Sequence, residues 1–212
     1  MTDKSTESAP RHFSMIRSFA AADLITLCNG MAGTGSILAS LQSVASGNRD
    51  FLWLAIGLLP LAMFFDFLDG RVARWRQRGS ALGAQLDSLA DLISFGVAPA
   101  IIAFDTGMRG GWDAVILVYF VSCGLSRLAR YNITAASMSD ESGKVRYFEG
   151  TPIPTSVILV VVLAVLVYME RIDQNLPLGH WAIGPWVLHP MVLMFFLSGC
   201  AMISATLRIP KI

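Results

Sequence analysis

The sequence predicts an all-α integral membrane protein with six transmembrane helices, a short N-terminal interfacial helix and both termini in the cytoplasm. Composition is the first indication, because 54% of the 212 residues are hydrophobic, only 15% are charged and the mean hydropathy is +0.58. Soluble domains carry about a quarter charged residues. The apolar residues also form separate long runs, and the basic residues are distributed unequally between the connections. These observations place the chain in a membrane.

The first twenty residues differ from the rest of the chain. Residues 1–10 are small and polar, which predicts a disordered segment. Phe13, Ile16 and Phe19 then recur at a three-residue spacing beside Arg11 and Arg17. This pattern predicts a helix that lies on the membrane surface. Residues 11–212 are predicted to form a single membrane domain.

Six apolar segments are long enough to be transmembrane helices, since crossing the hydrocarbon core takes roughly 20 mainly apolar residues. The candidates cover residues 22–45, 51–70, 86–104, 112–131, 154–169 and 187–207. Pro152 and Pro154 stand where the fifth candidate begins, as expected for prolines in a first helical turn. Cysteines and histidines have no metal-ligand spacing, and we expect no functional role for Cys28, Cys123, Cys200, His12, His180 or His189.

The basic residues predict the orientation of these helices. With the N-terminus in the cytoplasm, 13 lysines and arginines fall on the cytoplasmic side and 3 on the other, the asymmetry expected of membrane proteins. The cytoplasmic group is Lys4, Arg11, Arg17, Arg71, Arg74, Arg76, Arg78, Arg127, Arg130, Lys144, Arg146, Arg208 and Lys211, and the other group is Arg49, Arg109 and Arg171. We therefore expect a protein of the cytoplasmic (inner) membrane.

Four aspartates stand at the cytoplasmic edge of the second and third segments, in the stretch "DFLDGRVARWRQRGSALGAQLDSLAD". If the second helix continues through Asp66 and Asp69, these side chains lie about 60° apart on one face, and Asp87 and Asp91 lie about 40° apart on the next helix. The connection between the helices is short. The spacing therefore predicts two acidic patches that face each other.

Facing carboxylates repel one another unless a cation lies between them, and the repulsion is greater near lipid. Rigidly held oxygen ligands suit Mg²⁺ or Mn²⁺, and two such ions about 3.5–4 Å apart are used in phosphoryl transfer. Gly70, Ala73 and Gly83 leave room for a ligand to approach the backbone, and Arg74 can bind a phosphate.

Other interpretations of this stretch remain. The arginines Arg71, Arg74, Arg76 and Arg78 also serve as an orientation signal, and small residues four apart also favour helix packing. A divalent-cation channel or transporter would place aspartates along an ion path. That alternative predicts acidic residues deep in several segments, whereas these four lie at one edge.

The spacing Asp66-x2-Asp69-Gly70-x2-Ala73-Arg74-x8-Gly83-x3-Asp87-x3-Asp91 matches without a gap the signature of the CDP-alcohol phosphotransferases. The chain resembles this family in its signature and in its six predicted helices. The resemblance implies a dinuclear Mg²⁺ or Mn²⁺ site with Asp66, Asp69, Asp87 and Asp91 as ligands.

Three further segments resemble the phosphatidylserine synthase branch of that family. They are "LDSLADLISFGVAPA" at residues 86–100, "SRLARYN" at residues 126–132 and "FEGTPIPTS" at residues 148–156. The resemblance implies transfer of a phosphatidyl group from CDP-diacylglycerol to L-serine, with CMP as the second product. Glycerol 3-phosphate, an inositol phosphate or choline as the acceptor is the alternative within the family.

The resemblance also implies roles for individual residues. Asp91 is expected to be both metal ligand and general base for the serine hydroxyl. The expected substrate-binding residues are Asn29, Gly30, Gly70, Ala73, Arg74, Ser80, Gly83 and Arg130. For two of these a structural role is equally open: Asn29 can be an interhelical hydrogen-bonding residue, and Arg130 can be a cytoplasmic anchor. The family is commonly homodimeric, so the expected partners are membrane lipid, the two substrates and a second copy of the chain.

Overall fold

A computed structural model describes residues 21–76, 81–137, 147–149, 151–204 and 208–210. The predictions for residues 1–20 and for Ser80 lie outside these described residues, as do those for the side chains of Ala73 and Arg74.

The described chain is mainly helical. The α-helices are α1 (Ala21–Ser46), α2 (Arg49–Arg76), α3 (Ala81–Asp91), α4 (Ala98–Asp105), α5 (Gly111–Ser137), α6 (Val157–Tyr168) and α7 (Leu193–Ile203). A π-helix, Leu92–Val97, joins α3 to α4, and short 3-10 helices cover Ile153–Ser156, Asp173–Asn175 and Pro190–Val192. The strands are β1 (Tyr147–Glu149), β2 (Trp181–Ile183), β3 (Trp186–Leu188) and β4 (Arg208–Pro210). β1 pairs with β4, and β2 pairs with β3, both antiparallel.

Four described helices are long and apolar enough to cross a membrane: Asp23–Ser46, Arg49–Val72, Leu82–Asp105 and Gly111–Ile133. They correspond to the first four predicted segments. The fifth and sixth form shorter apolar helices, Ile153–Tyr168 and Pro190–Ile203, so the structure supports a mainly helical membrane protein without establishing six crossings. Pro152 caps the 3-10 turn at the start of the fifth segment, as its sequence position predicts.

Helix α1 shows why these helices suit lipid. Large apolar side chains on one face, such as Met31 and Leu38, are exposed, whereas small polar side chains on the other face are buried. Ser36 is fully buried and donates a hydrogen bond of 2.8 Å to the carbonyl oxygen of Ala55 on α2. This pattern is the reverse of a soluble helix and is typical of small-residue packing in membranes.

The segment from α3 through the π-helix to α4 lies at the centre of the bundle. It packs against α1, α2, α5 and α6, and Phe95 and Ile102 are fully buried. Gly33 of α1 lies directly against Ser94 of the π-helix, where a larger residue would clash with the backbone. The π-helix begins immediately after Asp91, and single π-turns frequently occur at functional sites. The central segment therefore holds the last aspartate against α1.

We call the two ends of the bundle the aspartate end, which carries Asp66, Asp69, Asp87 and Asp91, and the opposite end, formed by residues 105–113 and 169–190. The opposite end is covered by the β2–β3 hairpin, where Trp112 donates a hydrogen bond to the carbonyl oxygen of Ile183. The hairpin thus closes the bundle at the end remote from the four aspartates.

Candidate metal centre

The four aspartates lie on two helices that face each other, as their spacing predicts. Helix α2 continues through Asp66 and Asp69 to Arg76, and α3 carries Asp87 and Asp91 on its last two turns. One carboxylate oxygen from each of Asp66, Asp69 and Asp87 lies within 4.8 Å of the other two. Such a separation lets all three residues bind a single cation or a pair of bridged cations.

Asp91 lies beside this triad and is buried. Its side chain is within hydrogen-bonding reach of Asp66, and its Oδ1 accepts a hydrogen bond of 3.1 Å from Nδ2 of Asn29. All four carboxylates therefore belong to one cluster. The hydrogen bond from Asn29 fixes the orientation of Asp91.

Helix α1 supplies the supporting polar contacts. Thr26 lies one turn before Asn29 on this helix, and its Oγ1 donates a hydrogen bond of 2.7 Å to Oδ2 of Asp69. The backbone carbonyl oxygen of Asn29 accepts a hydrogen bond of 3.0 Å from the hydroxyl of Ser94. Thr26 and Ser94 were not identified in the sequence, because nothing in the spacing of a single helix reveals a partner that lies more than forty residues away.

The cluster carries negative charge without a matching cation among the described residues, where none of the four aspartates forms an ion pair. Oδ1 of Asp87 and Oδ1 of Asn29 are also buried without a hydrogen-bond partner in the described chain. Unsatisfied oxygen acceptors around a carboxylate triad are the donor set that hard divalent cations prefer. The residues present therefore fit the predicted metal ions.

The glycines expected to contact substrate differ in their surroundings. A Cβ atom placed on Gly70 would have no neighbour within 4 Å, so the backbone beside the aspartates is open to a ligand. On Gly30 such an atom would lie 3.6 Å from Cβ of Ala90, which makes Gly30 a packing contact between α1 and α3. Gly83 is half-buried on the first turn of α3.

The two arginines of "SRLARYN" point in different directions. Arg130, the predicted substrate contact, is exposed on α5. Arg127 is half-buried, and its Nε atom is buried. Near it, Asn132 of α5 donates a 3.0 Å hydrogen bond to Ser88 of α3. The structure therefore brings Arg127, and not Arg130, towards the cluster.

The comparison with protein families decides the family. The model of the CDP-alcohol phosphatidyltransferases matches residues 19–200, which include all four aspartates. The chain belongs to this family. The match confirms the resemblance seen in the signature, and it extends from the start of α1 into α7.

Several relatives within the CDP-alcohol phosphatidyltransferases carry one name, CDP-diacylglycerol–serine O-phosphatidyltransferase. The relative from Saccharomyces cerevisiae is 48% identical over 96% of this chain and 75% of its own length. The one from Methanocaldococcus jannaschii is 32% identical over 77% of this chain and 70% of its own length. The chain matches the Mycobacterium leprae protein at 37% identity, over 62% of this chain and 44% of that protein.

The fold of this CDP-alcohol phosphatidyltransferase is similar to a crystal structure of phosphatidylinositol phosphate synthase from Mycobacterium tuberculosis with CDP-DAG bound. The two share 20% sequence identity with a TM-score of 0.52, over 89% of this chain and 84% of the other. At this identity the likeness concerns the helical fold alone.

Proposed function

We propose that the protein transfers the phosphatidyl group of CDP-diacylglycerol to L-serine and releases CMP. The observation that carries this proposal is the facing arrangement of four aspartates whose spacing is the signature of the family. The names of its relatives support serine as the acceptor, because a relative 48% identical over nearly the whole chain is a serine O-phosphatidyltransferase.

The proposed cofactor is a pair of Mg²⁺ or Mn²⁺ ions held by Asp66, Asp69, Asp87 and Asp91. When bound, divalent cations would stabilise the negative charge of the diphosphate and of the departing CMP. Thr26 and Asn29 hold two of these carboxylates in place from α1. Such supporting hydrogen bonds orient metal ligands and tune their affinity.

Asp91 is the proposed general base. The serine hydroxyl attacks the phosphorus that carries diacylglycerol, the bond from this phosphorus to the oxygen of CMP breaks, and the hydroxyl proton passes to the Asp91 carboxylate. A well-placed acceptor is sufficient, because the hydroxyl loses its proton during the attack. The hydrogen bond that Asn29 donates to Oδ1 orients the Asp91 carboxylate for this role.

The remaining substrate contacts are proposed on the same basis. The open backbone at Gly70 suits close approach of the diphosphate, and Arg74 is proposed to bind a phosphate. The other proposed contacts are Asn29, Gly30, Ala73, Ser80, Gly83 and Arg130. Exposed apolar side chains around the bundle place its sides against lipid, so the acyl chains would leave the site sideways into the membrane.

We further propose six membrane crossings with both termini in the cytoplasm, an active site that faces the cytoplasm of the inner membrane, and a homodimer. The support is the 13-to-3 distribution of basic residues together with the family resemblance. An Arg76→Cys variant is expected to react with an impermeant thiol reagent only from the cytoplasmic side, and labelling from the other side would overturn this orientation. Light scattering of the purified protein in detergent measures the number of chains.

The experiment that tests the function is an acceptor screen on purified protein. CDP-diacylglycerol and Mn²⁺ or Mg²⁺ are supplied with one acceptor at a time, and CMP release is followed. We expect CMP with L-serine. Release with glycerol 3-phosphate, inositol phosphate or choline instead would keep the chemistry and overturn the acceptor. No CMP with any acceptor, from protein shown to be folded, would favour a divalent-cation transporter.

A further inference from the structure

Arg127 is a half-buried cationic residue to which the proposed chemistry gives no role. Its Nε atom is buried and has no hydrogen-bond partner in the described part of the chain. Its guanidinium forms no ion pair with the described carboxylates. A guanidinium N–H that is buried without a partner costs free energy, and buried charged groups are normally paired with an anion.

Gly124 lies three residues before Arg127 on the same face of α5, so the contacts of Gly124 show what this face packs against. A Cβ atom on Gly124 would lie 2.8 Å from Cδ1 of Ile153 and 3.9 Å from Cδ1 of Leu92. This face of α5 therefore packs against the π-helix on one side and against the 3-10 turn Ile153–Ser156 on the other. Arg127 lies about one turn from that contact, towards the aspartate end.

The depth of Arg127 is fixed by the polar contact between α3 and α5. Asn132 exchanges hydrogen bonds with Ser88, at 3.0 and 3.2 Å. The two helices run in opposite directions. Leu92, four residues after Ser88, therefore lies level with Leu128, four residues before Asn132. Arg127 thus lies at about the level of the turn that follows Asp91.

Thr151 adds a second unpartnered donor. Its Oγ1 is buried and has no hydrogen-bond partner in the described chain, and its backbone N–H donates to the carbonyl oxygen of Ala201 on α7. Thr151 stands two residues before Ile153, on the side of the aspartate end. The Nε atom of Arg127 and the hydroxyl of Thr151, neither with a hydrogen-bond partner among the described residues, therefore flank the same contact between α5 and the 3-10 turn.

We propose that this position, between α5 and the 3-10 turn, binds the carboxylate of the amino-acid acceptor, with Arg127 as its cationic partner and Thr151 as a second donor. The proposal rests on the serine-transferase function. A carboxylate held there directs the hydroxyl, which is attached through the α- and β-carbons of the acceptor, towards Asp91. Because a guanidinium matches a carboxylate in charge and shape, the site selects acceptors that carry one over ethanolamine or choline.

The test compares L-serine with L-serinamide, which keeps the hydroxyl and the amine but lacks the negative charge. In the wild type we expect serine to be strongly preferred. In Arg127→Gln, kcat/KM for serine is expected to fall roughly 10- to 100-fold, mainly through KM, because a hydrogen bond to a charged group is lost. The rate with serinamide is expected to change little, so the preference collapses. Arg127→Lys, which keeps the charge, is expected to retain part of it.

Arg171→Gln is the matched control, because Arg171 is exposed at the opposite end and its loss should leave the preference unchanged. Binding of CDP-diacylglycerol and the thermal melting curve show whether each variant is folded. If Arg127→Gln does not fold, the same comparison is made with Thr151→Val and with Arg127→Lys. Both variants are expected to weaken the preference for serine over serinamide.

Two results would overturn the proposal. One is a folded Arg127 variant, or the Thr151→Val and Arg127→Lys pair, with the wild-type preference for serine over serinamide. The other is an increase in KM for CDP-diacylglycerol with no change for serine, which would assign Arg127 to the diphosphate. Failure of the transferase function itself is distinguishable, because then the wild type releases no CMP with serine.

Discussion

The aspartate end and the opposite end both bury acidic side chains, but among the described residues only those at the opposite end are in contact with basic side chains. Asp113 is fully buried and accepts hydrogen bonds from the backbone N–H groups of Gly110 and His189 and from the His189 ring, at 2.8, 2.8 and 2.5 Å. Asp105 accepts from Ser43 and lies 3.8 Å from Arg109. These aspartates hold the protein's own segments together.

At the aspartate end the same residue type is arranged differently. The carboxylates of Asp66, Asp69 and Asp87 converge within 4.8 Å. Helix α1 supplies neutral donors, Thr26 to Asp69 and Asn29 to Asp91, and none of the four aspartates forms an ion pair among the described residues. Converging carboxylates without a cation are unfavourable unless a ligand supplies the charge. The difference between the two ends shows that a single aspartate at a membrane edge is not by itself evidence of function. The convergence of several aspartates that form no ion pair among the described residues is such evidence.

The largest expected effect comes from Asp91→Asn, which keeps the size of the side chain and its contact with Asn29 but removes the base. We expect turnover to fall by about 10²- to 10⁴-fold while CDP-diacylglycerol still binds. CMP release and lipid-nucleotide binding on the same preparation measure both. Full activity in this variant would remove Asp91 as the base and would weaken the contrast between the two ends.

The second effect concerns divalent cations. If the aspartate end binds them, Mn²⁺ or Mg²⁺ at a hundred times its dissociation constant should stabilise the folded protein by about 2.7 kcal/mol, or by about 5–10 °C in Tm. We expect this shift to be lost in Asp87→Asn and kept in Asp105→Asn, which changes a buried aspartate at the opposite end. An equal loss in both variants would contradict a cation site that is confined to the aspartate end.

The third effect is a change at the opposite end that should alter stability and leave activity unchanged. Asp113→Asn leaves an amide nitrogen facing donors at Gly110 or His189, so we expect the free energy of unfolding to fall by about 1–3 kcal/mol. Since Asp113 lies at the end remote from the cluster, kcat per folded molecule should stay at the wild-type value. Thermal melting and CMP release on the same sample separate the two quantities. A large fall in kcat at unchanged stability would show that the ends are coupled.

The sequence predicts the aspartate end better than the opposite end, for a physical reason. Asp66, Asp69, Asp87 and Asp91 lie on two neighbouring helices, and helical periodicity alone places each pair on one face. The contact between Asp113 and His189 joins residues 76 positions apart and depends on the β2–β3 hairpin, so the expectation of no role for His189 missed its structural one. Local periodicity contains no information on such pairs.

The same limit applies to the arginines of α5. Arg127 and Arg130 are three residues apart, so they lie about 60° apart around the helix, and the sequence does not reveal how far the helix is rotated. That rotation is set by Gly124 against Ile153 and by Asn132 against Ser88. The motif therefore indicated the right segment of the chain, and the packing of α5 was needed to separate the half-buried arginine from the exposed one.

The smallest expected effect tests whether the supporting contacts also differ between the ends. Thr26→Val keeps the shape of the side chain and removes the hydrogen bond to Asp69. Loss of a hydrogen bond that orients a metal ligand typically lowers metal affinity at least tenfold. We therefore expect about tenfold weaker Mn²⁺ binding, measured by calorimetry or by the Mn²⁺ dependence of CMP release, with kcat at saturating Mn²⁺ close to wild type.

Ser43→Ala is the matched comparison, because Ser43 also lies on α1 and donates to a buried aspartate, Asp105, at the opposite end. Both variants delete one hydroxyl and one hydrogen bond to a carboxylate, so both should destabilise the fold by a similar amount, about 1 kcal/mol. Only Thr26→Val should change Mn²⁺ affinity, since only its partner belongs to the converging set. Equal Mn²⁺ affinity in the two variants would mean that Asp69 needs no orientation from α1, and that the contrast between the ends lies in the carboxylates alone.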